Sequence, residues 1–349
     1  MKNILFIKLG AIGDIIQSAA AVDELKLSNL GMRVDWVVGQ SIADLLEQMA
    51  VADRVIGVPD QALFTGSAFQ KMKALLTCWL RIARHSQRYE AIYIAHTNWQ
   101  YNLLALPAYI RNPNLFFPNQ KCFFPVLQEY RVSEYLKFLS GKTISATKSA
   151  IVLQRLGDAL LSKAPALKSQ LSQAEQKQSI VIVPGGSKNA LRDDFLRRWP
   201  IESYVELAKL FIDQGKDVVL VGANSDQWVG PYFENVHVIN LIGKTSLLEL
   251  VQILDKADLI ITHDTGPLHL ATLTKTPLIT LFGPTPASAV APIGRENLQV
   301  FMAKTDVTCA PCYDGKNYAN CSNPICMKST SVDDVFRASQ NVFITKGLL

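Results

Sequence analysis

The chain has 349 residues, 49% of them apolar, and a formal net charge of +5. This length allows two domains with full cores, and a charged fraction of 19% excludes a disordered chain of high net charge. The modest net charge gives little support to nucleic-acid binding. No run of about 18 apolar residues is present, so the sequence predicts no membrane-spanning helix.

In chain order, short apolar runs alternate with segments of helical period. The first half predicts strands at residues 3–8, 33–38, 54–58 and 91–95, with helices at 14–28, 42–49 and 67–88. Continuous apolar strands separated by helices indicate a parallel sheet covered on both faces. Because the first residues predict a strand and a glycine turn, we expect no secretory signal, and the scattered cysteines favour a reducing cytoplasm.

The same pattern starts again at residue 179. It predicts strands at residues 179–183, 217–221, 236–240, 258–262 and 277–281, and helices at 201–214, 246–255 and 267–273. We therefore predict an α/β protein with two doubly wound, Rossmann-like domains facing across a cleft, where ligands bind. The predicted segments are a first domain (1–165), a polar linker (166–178), a second domain (179–330) and a C-terminal helix (331–349).

The two halves differ in charge. Residues 1–170 contain 19 basic and 12 acidic residues, a net charge of +7, whereas residues 171–349 contain 16 and 18, a net charge of −2. This difference predicts different partners for the two halves. The predicted helix at 67–88 interleaves apolar residues with Lys71, Lys73, Arg81, Arg84 and Arg88. These form either the ordinary charged face of a surface helix or a surface for an anionic acceptor or anionic lipid head groups.

A glycine-rich turn follows the first predicted strand. Residues 8–14 have the sequence KLGAIGD, so the spacing is G-x-x-G-D. The dinucleotide fingerprint G-x-G-x-x-G is missing, which disfavours a nicotinamide dehydrogenase. Asp14 stands at a helix start, where it either caps the helix or acts as a general base.

A second glycine-rich loop follows the strand at residue 179. It contains Gly185, Gly186 and Ser187, and a charged segment up to Trp199 follows. Backbone N–H groups and cations of such a loop suit a phosphate. The candidate cations are Lys188, Arg192, Arg197 and Arg198. The alternative is a solvated loop that happens to be basic.

A third motif, HDTGPLH at residues 263–269, follows a buried strand and opens a helix. Its helix start favours an anion such as a diphosphate, with Thr265 and Gly266 at the ligand and Asp264 orienting the loop or meeting a sugar hydroxyl. His269 is either close to that site or a hydrogen-bonded core histidine. The LFGPTP loop at 281–286 is either a rigid turn or a fourth part of the same edge.

Four cysteines are clustered near the end of the chain, at Cys309, Cys312, Cys321 and Cys326. Four thiolates at this spacing suit a structural zinc. The C-x-x-C pair also fits a redox pair, and four free thiols remain the other alternative.

Together these motifs resemble glycosyltransferase family 9, the bacterial lipopolysaccharide heptosyltransferases. The resemblance is carried by residues 7–17, 183–200, 241–254, 264–285 and 309–327, so it extends over essentially the whole chain. Its most specific part is DTGPLHLA followed by FGPT. It implies a GT-B fold, in which the first domain binds the acceptor and the second binds the nucleotide-sugar.

The resemblance also implies a reaction. It is an inverting, metal-independent transfer of heptose from ADP-heptose to the inner core of lipopolysaccharide, with no cofactor needed for catalysis. The family's base matches Asp14, its diphosphate contacts match Asp264, Thr265 and Gly266, and its helix histidine matches His269.

Four positions depart from the family's pattern. Arg198 replaces a lysine that contacts the diphosphate, and it keeps the charge with a different geometry. Gln17 and Ala20 stand where a histidine and a proline are common. Asp226 is the nearest candidate for a glutamate that contacts the ribose.

The expected partners are ADP-heptose, an anionic glycolipid and, peripherally, the inner membrane, with a cytoplasmic location. The acceptor-side candidates are Gly13, Gln17, Lys71, Arg81 and Arg84. The alternatives are a GT-B transferase or epimerase for another nucleotide-sugar, and a non-catalytic homologue that binds sugar nucleotides.

Overall fold

The computed structural model describes residues 2–96, 100–115, 121–122, 129–167, 178–188 and 192–346. The chain divides into two compact units. The first contains residues 1–152, and the second contains residues 153–188 and 192–349. Each unit is built on its own parallel sheet with helices between the strands.

In the first unit, the strands are β1 (Asn3–Ile7), β2 (Arg33–Gly39), β3 (Arg54–Val58), β4 (Ala91–Ile94) and β5 (Lys121–Cys122). The helices are α1 (Ile12–Leu27), α2 (Gln40–Met49), α3 (Asp60–Thr65), α4 (Ala68–His85), α5 (Gln100–Leu104), α6 (Leu106–Arg111) and α7 (Arg131–Ser140). Helix α8 (Ala146–Leu161) begins in this unit and ends in the second. The strand order is β3-β2-β1-β4-β5.

In the second unit, the strands are β6 (Ser179–Ile182), β7 (Asp217–Leu220), β8 (Ile239–Asn240), β9 (Leu259–His263), β10 (Leu278–Leu281) and β11 (Leu298–Phe301). The α-helices are α9 (Ile201–Asp213), α10 (Leu247–Lys256), α11 (Gly266–Ala271), α12 (Ala287–Val290), α13 (Ile325–Lys328) and α14 (Val332–Lys346), and 3-10 helices cover Pro113–Leu115 in the first unit and Phe195–Arg197 and Asn224–Phe233 in the second. The strand order is β11-β10-β9-β6-β7-β8.

The strand orders explain where the glycine-rich loops lie. In the first sheet the chain leaves β1 towards β2 and later returns to β4 on the other side, so the order reverses between β1 and β4. In the second sheet the same reversal lies between β6 and β9. Loops that follow the carboxyl ends of such strand pairs diverge and leave room for a ligand. The candidate motifs at residues 8–14, 184–187 and 264–266 all follow these strands.

The predicted α/β class with two Rossmann-like sheets is confirmed, but several elements differ. Strand β8 has two residues where five were predicted, because residues 236–238 leave the ladder. Helix α4 ends at His85 instead of residue 88, since Ser86 is extended. Helices α7 and α8 were not predicted.

The predicted first boundary, after residue 165, differs from the structure, in which the units divide within α8 after residue 152. Gly157 explains why the end of α8 belongs to the second unit. A Cβ atom there would lie 1.6 Å from the carbonyl oxygen of Leu273, so this helix packs closely on the turn after α11. Most of the predicted linker, residues 168–177, and residues 347–349 of the predicted final helix lie outside the described residues.

The described helices include none with both the length and the apolar composition needed to cross a membrane.

Candidate active site

Asp14 of the first unit is held by two side chains. Lys8, the residue after β1, places Nζ 2.9 Å from Oδ2 of Asp14. Tyr135 on α7 donates its hydroxyl to Oδ1 at 3.0 Å. The Lys8 side chain is 6% exposed, whereas that of Asp14 is 35% exposed. The carboxylate is therefore oriented by a buried ion pair and a phenol, and one side of it stays open to solvent.

The electrostatics keep Asp14 ionised. Burial raises the pKa of its carboxyl, but the charges of Lys8 and Arg131 and the hydrogen bonds from Lys8 and Tyr135 lower it to about 2. Asp14 does not cap α1, because the N-cap residue is Ala11 and no side chain caps the helix. The cap alternative for Asp14 is therefore wrong, and a carboxylate available for proton transfer remains.

A neutral histidine lies near this carboxylate. His96 follows β4, and its ring stacks on Tyr101 with 4.0 Å between centroids. Burial and the charge of Lys8 lower the pKa of His96 to about 4, although Asp14 opposes the shift. The place where the strand order of the first sheet reverses thus carries an anion, a cation and an uncharged imidazole.

The predicted acceptor-side residues are dispersed. Gly13 and Gln17 are buried on α1, so Gln17, 4% exposed, does not present its amide to an acceptor. Arg81 donates to the carbonyl of Gly57 and to Gln40, and therefore ties α4 to β3 and α2. Arg84 lies next to His85, whose carbonyl accepts from Arg54 at the amino end of β3.

Arg84 is consequently at the amino edge of the sheet, whereas Asp14 follows a carboxyl end. Lys71 is exposed in the first turn of α4, the end that points towards the carboxyl edge. Of the basic candidates on this helix, Lys71 has the placement that fits an acceptor near Asp14.

In the second unit, the loop after β6 and the loop after β9 are joined by hydrogen bonds. Ser187 donates its N–H to Oγ1 of Thr265 at 3.0 Å and its hydroxyl to the carbonyl of Asp264 at 2.9 Å. Gly186 has a φ of +89°, and a Cβ atom there would lie 2.2 Å from Oγ1 of Thr265. Only glycine fits this position, because both the backbone angle and the space exclude a side chain.

Asp226 organises the same loop. Its Oδ1 accepts from the N–H of Gly186 and its Oδ2 from the N–H of Ala223, each at 2.8 Å. The residue is 2% exposed. A Cβ atom on Gly185 would lie 2.7 Å from its side chain. The structure therefore gives Asp226 a loop-positioning role in place of the predicted ribose contact, because its oxygens are buried and already bonded to backbone.

Asp264 lies in a buried polar cluster. Its Oδ2 is 3.2 Å from Nη1 of Arg197, and Thr285 also donates to it. Burial raises the pKa of Asp264, but Arg197, His269 and the two hydrogen bonds outweigh this and lower it. His269 is 8% exposed and close enough to act on that carboxylate. Arg197 is thus ion-paired with a carboxylate that is itself buried.

Arg198 has different partners from Arg197. Its Nε donates to the carbonyl of Gly186 at 2.9 Å, and its guanidinium pairs with Asp193 and lies 5.4 Å from the ring centroid of Trp228. Its side chain is 14% exposed. The structure therefore places the Arg198 cation directly against the glycine-rich loop. Lys188 is exposed, and Arg192 is bonded to Asp194 and the carbonyl of Lys316.

Several functional neighbours carry no local sequence signal. Tyr135 is 121 positions from Asp14 in the sequence. Tyr318 is 33 positions from Thr285, and the hydroxyls of these two residues lie 3.1 Å apart. Lys8 does carry a sequence signal, because a lysine directly after a buried apolar strand requires a partner. His263 is fully buried against Tyr204 at 2.9 Å, and burial lowers its pKa to about 3.

The predicted thiolate site is not confirmed. The described cysteines are all free, and no described group of three or more potential ligands is arranged to hold a metal ion. Burial raises the pKa of the Cys326 thiol, and the other three cysteines of the cluster add to that shift. The four cysteines of the cluster therefore lie close to one another.

Comparison with known proteins decides the family. The model of glycosyltransferase family 9 (heptosyltransferase) matches residues 142–321, which are 180 of the 349 residues. The chain belongs to glycosyltransferase family 9. The match spans the second unit's glycine-rich loops, so the Gly186–Thr265 and Arg198 geometry described above is that of a family 9 protein.

Curated relatives agree with this family. Lipooligosaccharide heptosyltransferase 2 of Haemophilus influenzae is 35% identical over 28% of this chain and 30% of its own length. Lipooligosaccharide heptosyltransferase 2 of Campylobacter jejuni is 25% identical over 62% of this chain and 64% of its own length. The chain thus spans less than two thirds of the length of these relatives.

Solved structures share the fold along almost the whole family 9 chain. The Escherichia coli heptosyltransferase WaaC with ADP superposes with a TM-score of 0.70 and 19% identity, and the match covers 97% of this chain and 99% of the other. The E. coli ADP-heptose lps heptosyltransferase II superposes with a TM-score of 0.69 and 19% identity, and the match covers 99% of this chain and 100% of the other. At this identity the likeness concerns the fold.

Proposed function

We propose that the protein is a heptosyltransferase that moves heptose from ADP-heptose to the inner core of lipopolysaccharide, with inversion at the anomeric carbon and without a metal ion. The observation that carries the proposal is Asp14, a carboxylate that is 35% exposed, held ionised by Lys8 and oriented by Tyr135. The family to which the chain belongs supplies the reaction class, and the names of the chain's relatives supply the sugar and the acceptor.

The reaction is one displacement. Asp14 accepts the proton of an acceptor hydroxyl while that oxygen attacks the anomeric carbon of the donor. The bond from this carbon to the diphosphate oxygen breaks, and ADP leaves with the electron pair. A single displacement inverts the configuration. Tyr135 and Lys8 fix one lone pair on each carboxylate oxygen, so the remaining lone pairs have defined directions towards the hydroxyl.

The leaving diphosphate gains negative charge in this step. We assign its stabilisation to Arg198 and to the backbone N–H group of Gly266, because the N–H of Gly186 already donates to Asp226. Arg198 is positioned by the Gly186 carbonyl and by the face of Trp228 before any ligand arrives, which reduces the cost of ordering it. Because a protein cation is available at this place, the proposal requires no metal.

The acceptor binds to the first unit, whose half of the chain carries the positive charge. A lipopolysaccharide core is rich in anionic groups, which complement such a surface. Lys71 is the acceptor contact that the fold supports best. We further propose a cytoplasmic location with peripheral contact to the inner membrane, as a lipid-linked acceptor requires.

A mass-spectrometric transfer assay tests the proposal. The protein is incubated with ADP-heptose, ADP-glucose, UDP-glucose or UDP-N-acetylglucosamine, each with and without truncated lipopolysaccharide cores. We expect the mass of one heptose to be added to a core, only with ADP-heptose. Conversion of a nucleotide-sugar without an acceptor would instead identify an epimerase. Absence of turnover with ADP binding intact would identify a non-catalytic homologue.

A further inference from the structure

Helix α4 exposes apolar side chains on the face that points away from the core. Its buried residues are Ala74, Cys78 and Ile82. Four large apolar residues on the opposite face are exposed by 79%, 58%, 48% and 72%, namely Phe69, Met72, Leu76 and Leu80. We refer to these four residues as the apolar stripe. Surface helices of globular proteins normally carry polar residues at such positions.

The stripe is continuous. Its members are spaced by three, four and four residues, which places them on one side of an α-helix. From Phe69 to Leu80 the helix rises about 16 Å at 1.5 Å per residue. Contiguous apolar surface of this kind marks a protein or membrane contact, whereas single exposed apolar residues do not.

Positive charge flanks the stripe. The sequence from Ala68 to His85 contains no aspartate or glutamate. With 100° of rotation per residue, Lys73 and Arg84 lie along one margin of the stripe, and both are exposed. Arg81 is bonded to Gly57 and Gln40 and belongs to the helix–sheet contact.

The stripe extends towards the catalytic edge of the first sheet. The carbonyl of His85 meets Arg54 at the start of β3, and Arg81 meets Gly57 near its end. Phe69 is about 18 Å further along the helix than Arg81, in the direction of the carboxyl edge. Asp14 follows the carboxyl end of β1 at that same edge.

We propose that the apolar stripe, with Lys73 and Arg84, is a docking surface for a bilayer that contains anionic phospholipid. Apolar side chains enter the boundary between head groups and acyl chains while the cations stay with the phosphates. A second copy of the chain fits less well, because pairing two α4 faces brings like charges together without an acidic partner on the helix. The proposal rests on the membrane contact proposed above and names the surface that makes it, and the transfer assay with truncated cores can succeed or fail independently of vesicle binding.

Sedimentation with lipid vesicles tests the proposal. The full chain is mixed with vesicles of phosphatidylcholine alone or with added phosphatidylglycerol. We expect binding to the anionic vesicles that weakens as salt is added. The double variant Phe69→Ser, Leu80→Ser should lower the partition coefficient about tenfold or more. The variant Lys73→Glu should lower it several-fold, most strongly at low salt.

The matched control is Leu30→Ser. Leu30 is 94% exposed between α1 and β2 and is not part of α4, so the same chemical change there should leave binding unaltered. Far-ultraviolet circular dichroism and thermal unfolding check that each variant is folded. The proposal is overturned if the natural chain does not bind anionic vesicles, or if Leu30→Ser has the same effect as the double variant. A monomer–dimer equilibrium abolished by the double variant, without vesicle binding, would make the stripe a contact between copies and also overturn it.

Discussion

The two units prepare their sites in opposite ways. In the first unit, separate side chains converge on one carboxylate, which remains charged and 35% exposed. In the second unit, the acidic residues are buried and bonded, Asp226 to backbone N–H groups and Asp264 to Arg197. These carboxylates hold the loops in place, and their charges are already paired or hydrogen-bonded within the protein. A proton acceptor needs an open charged atom, whereas a phosphate site needs backbone donors in a fixed geometry.

Asp14→Asn breaks the first half of this comparison most directly. The amide keeps the shape but cannot accept the proton, so we expect the transfer rate to fall about 10²- to 10⁴-fold. ADP affinity, measured by calorimetry, should stay unchanged because the proposed ADP site lies in the second unit. A variant that keeps the full rate would remove Asp14 as the base.

Arg198→Ala tests whether the second unit relies on a side-chain cation. Loss of a charge-assisted hydrogen bond should weaken ADP binding about 10- to 100-fold and slow transfer. Arg198→Lys restores the charge and should recover part of the affinity. Arg337→Ala is the control, because the Arg337 side chain on α14 is 75% exposed. Equal ADP affinity in all four proteins would exclude Arg198 from the site.

Gly186→Ala tests the backbone half of the comparison. The new Cβ would meet Thr265 and strain a positive φ, so we expect a loss of about 1–3 kcal/mol of stability and weaker ADP binding. Gly215→Ala is matched, since its φ is +75° but no atom lies within 4 Å of the added Cβ. It should lose stability and keep ADP affinity. Denaturant unfolding and calorimetry separate the two effects, and a normal ADP affinity in Gly186→Ala contradicts the loop assignment.

Lys8→Met tests the electrostatics of Asp14. In the natural protein the pKa of Asp14 is lowered to about 2, and we expect protonation of this carboxylate to set the acid limb of the activity profile. Without Lys8 that pKa rises, and the acid limb of the kcat/KM profile should move up by about one pH unit or more. Tyr135→Phe should move it in the same direction by less.

Tyr93→Phe serves as the control for these two variants, because its hydroxyl donates to the Leu139 carbonyl. Its profile should match that of the natural protein. A Lys8→Met profile that also matches would show that Lys8 does not tune the base.

Metal removal gives the smallest expected effect. If Arg198 and backbone donors supply the charge at the diphosphate, EDTA should leave the transfer rate unchanged, and added Mg²⁺ should not raise it. A rate that falls with EDTA and returns with a divalent ion would contradict the metal-independent mechanism.

The two units also differ in what the sequence could predict. The loops at Gly186 and Thr265 are contiguous motifs next to buried strands, so their place at the sheet edge follows from local patterns. The role of Asp226 could not be predicted, because it depends on which N–H groups the folded loop points at it. Tyr135 reaches Asp14 only through the packing of α7 beside α1. The charge pattern predicted Arg84 on the acceptor side, but α4 is long enough that its C-terminal end lies at the amino edge of the sheet, opposite to the edge of Asp14.

The close approach of Gly186 to Thr265 has a consequence for how the sequence can vary. The space that a side chain at position 186 needs is filled by the hydroxyl of a residue 79 positions later, so the two positions constrain each other. Substitutions there should be strongly non-additive. In a library that randomises both positions and selects for activity, glycine should be retained at 186 wherever threonine is retained at 265. The few alternatives at 186 should appear together with a smaller partner at 265.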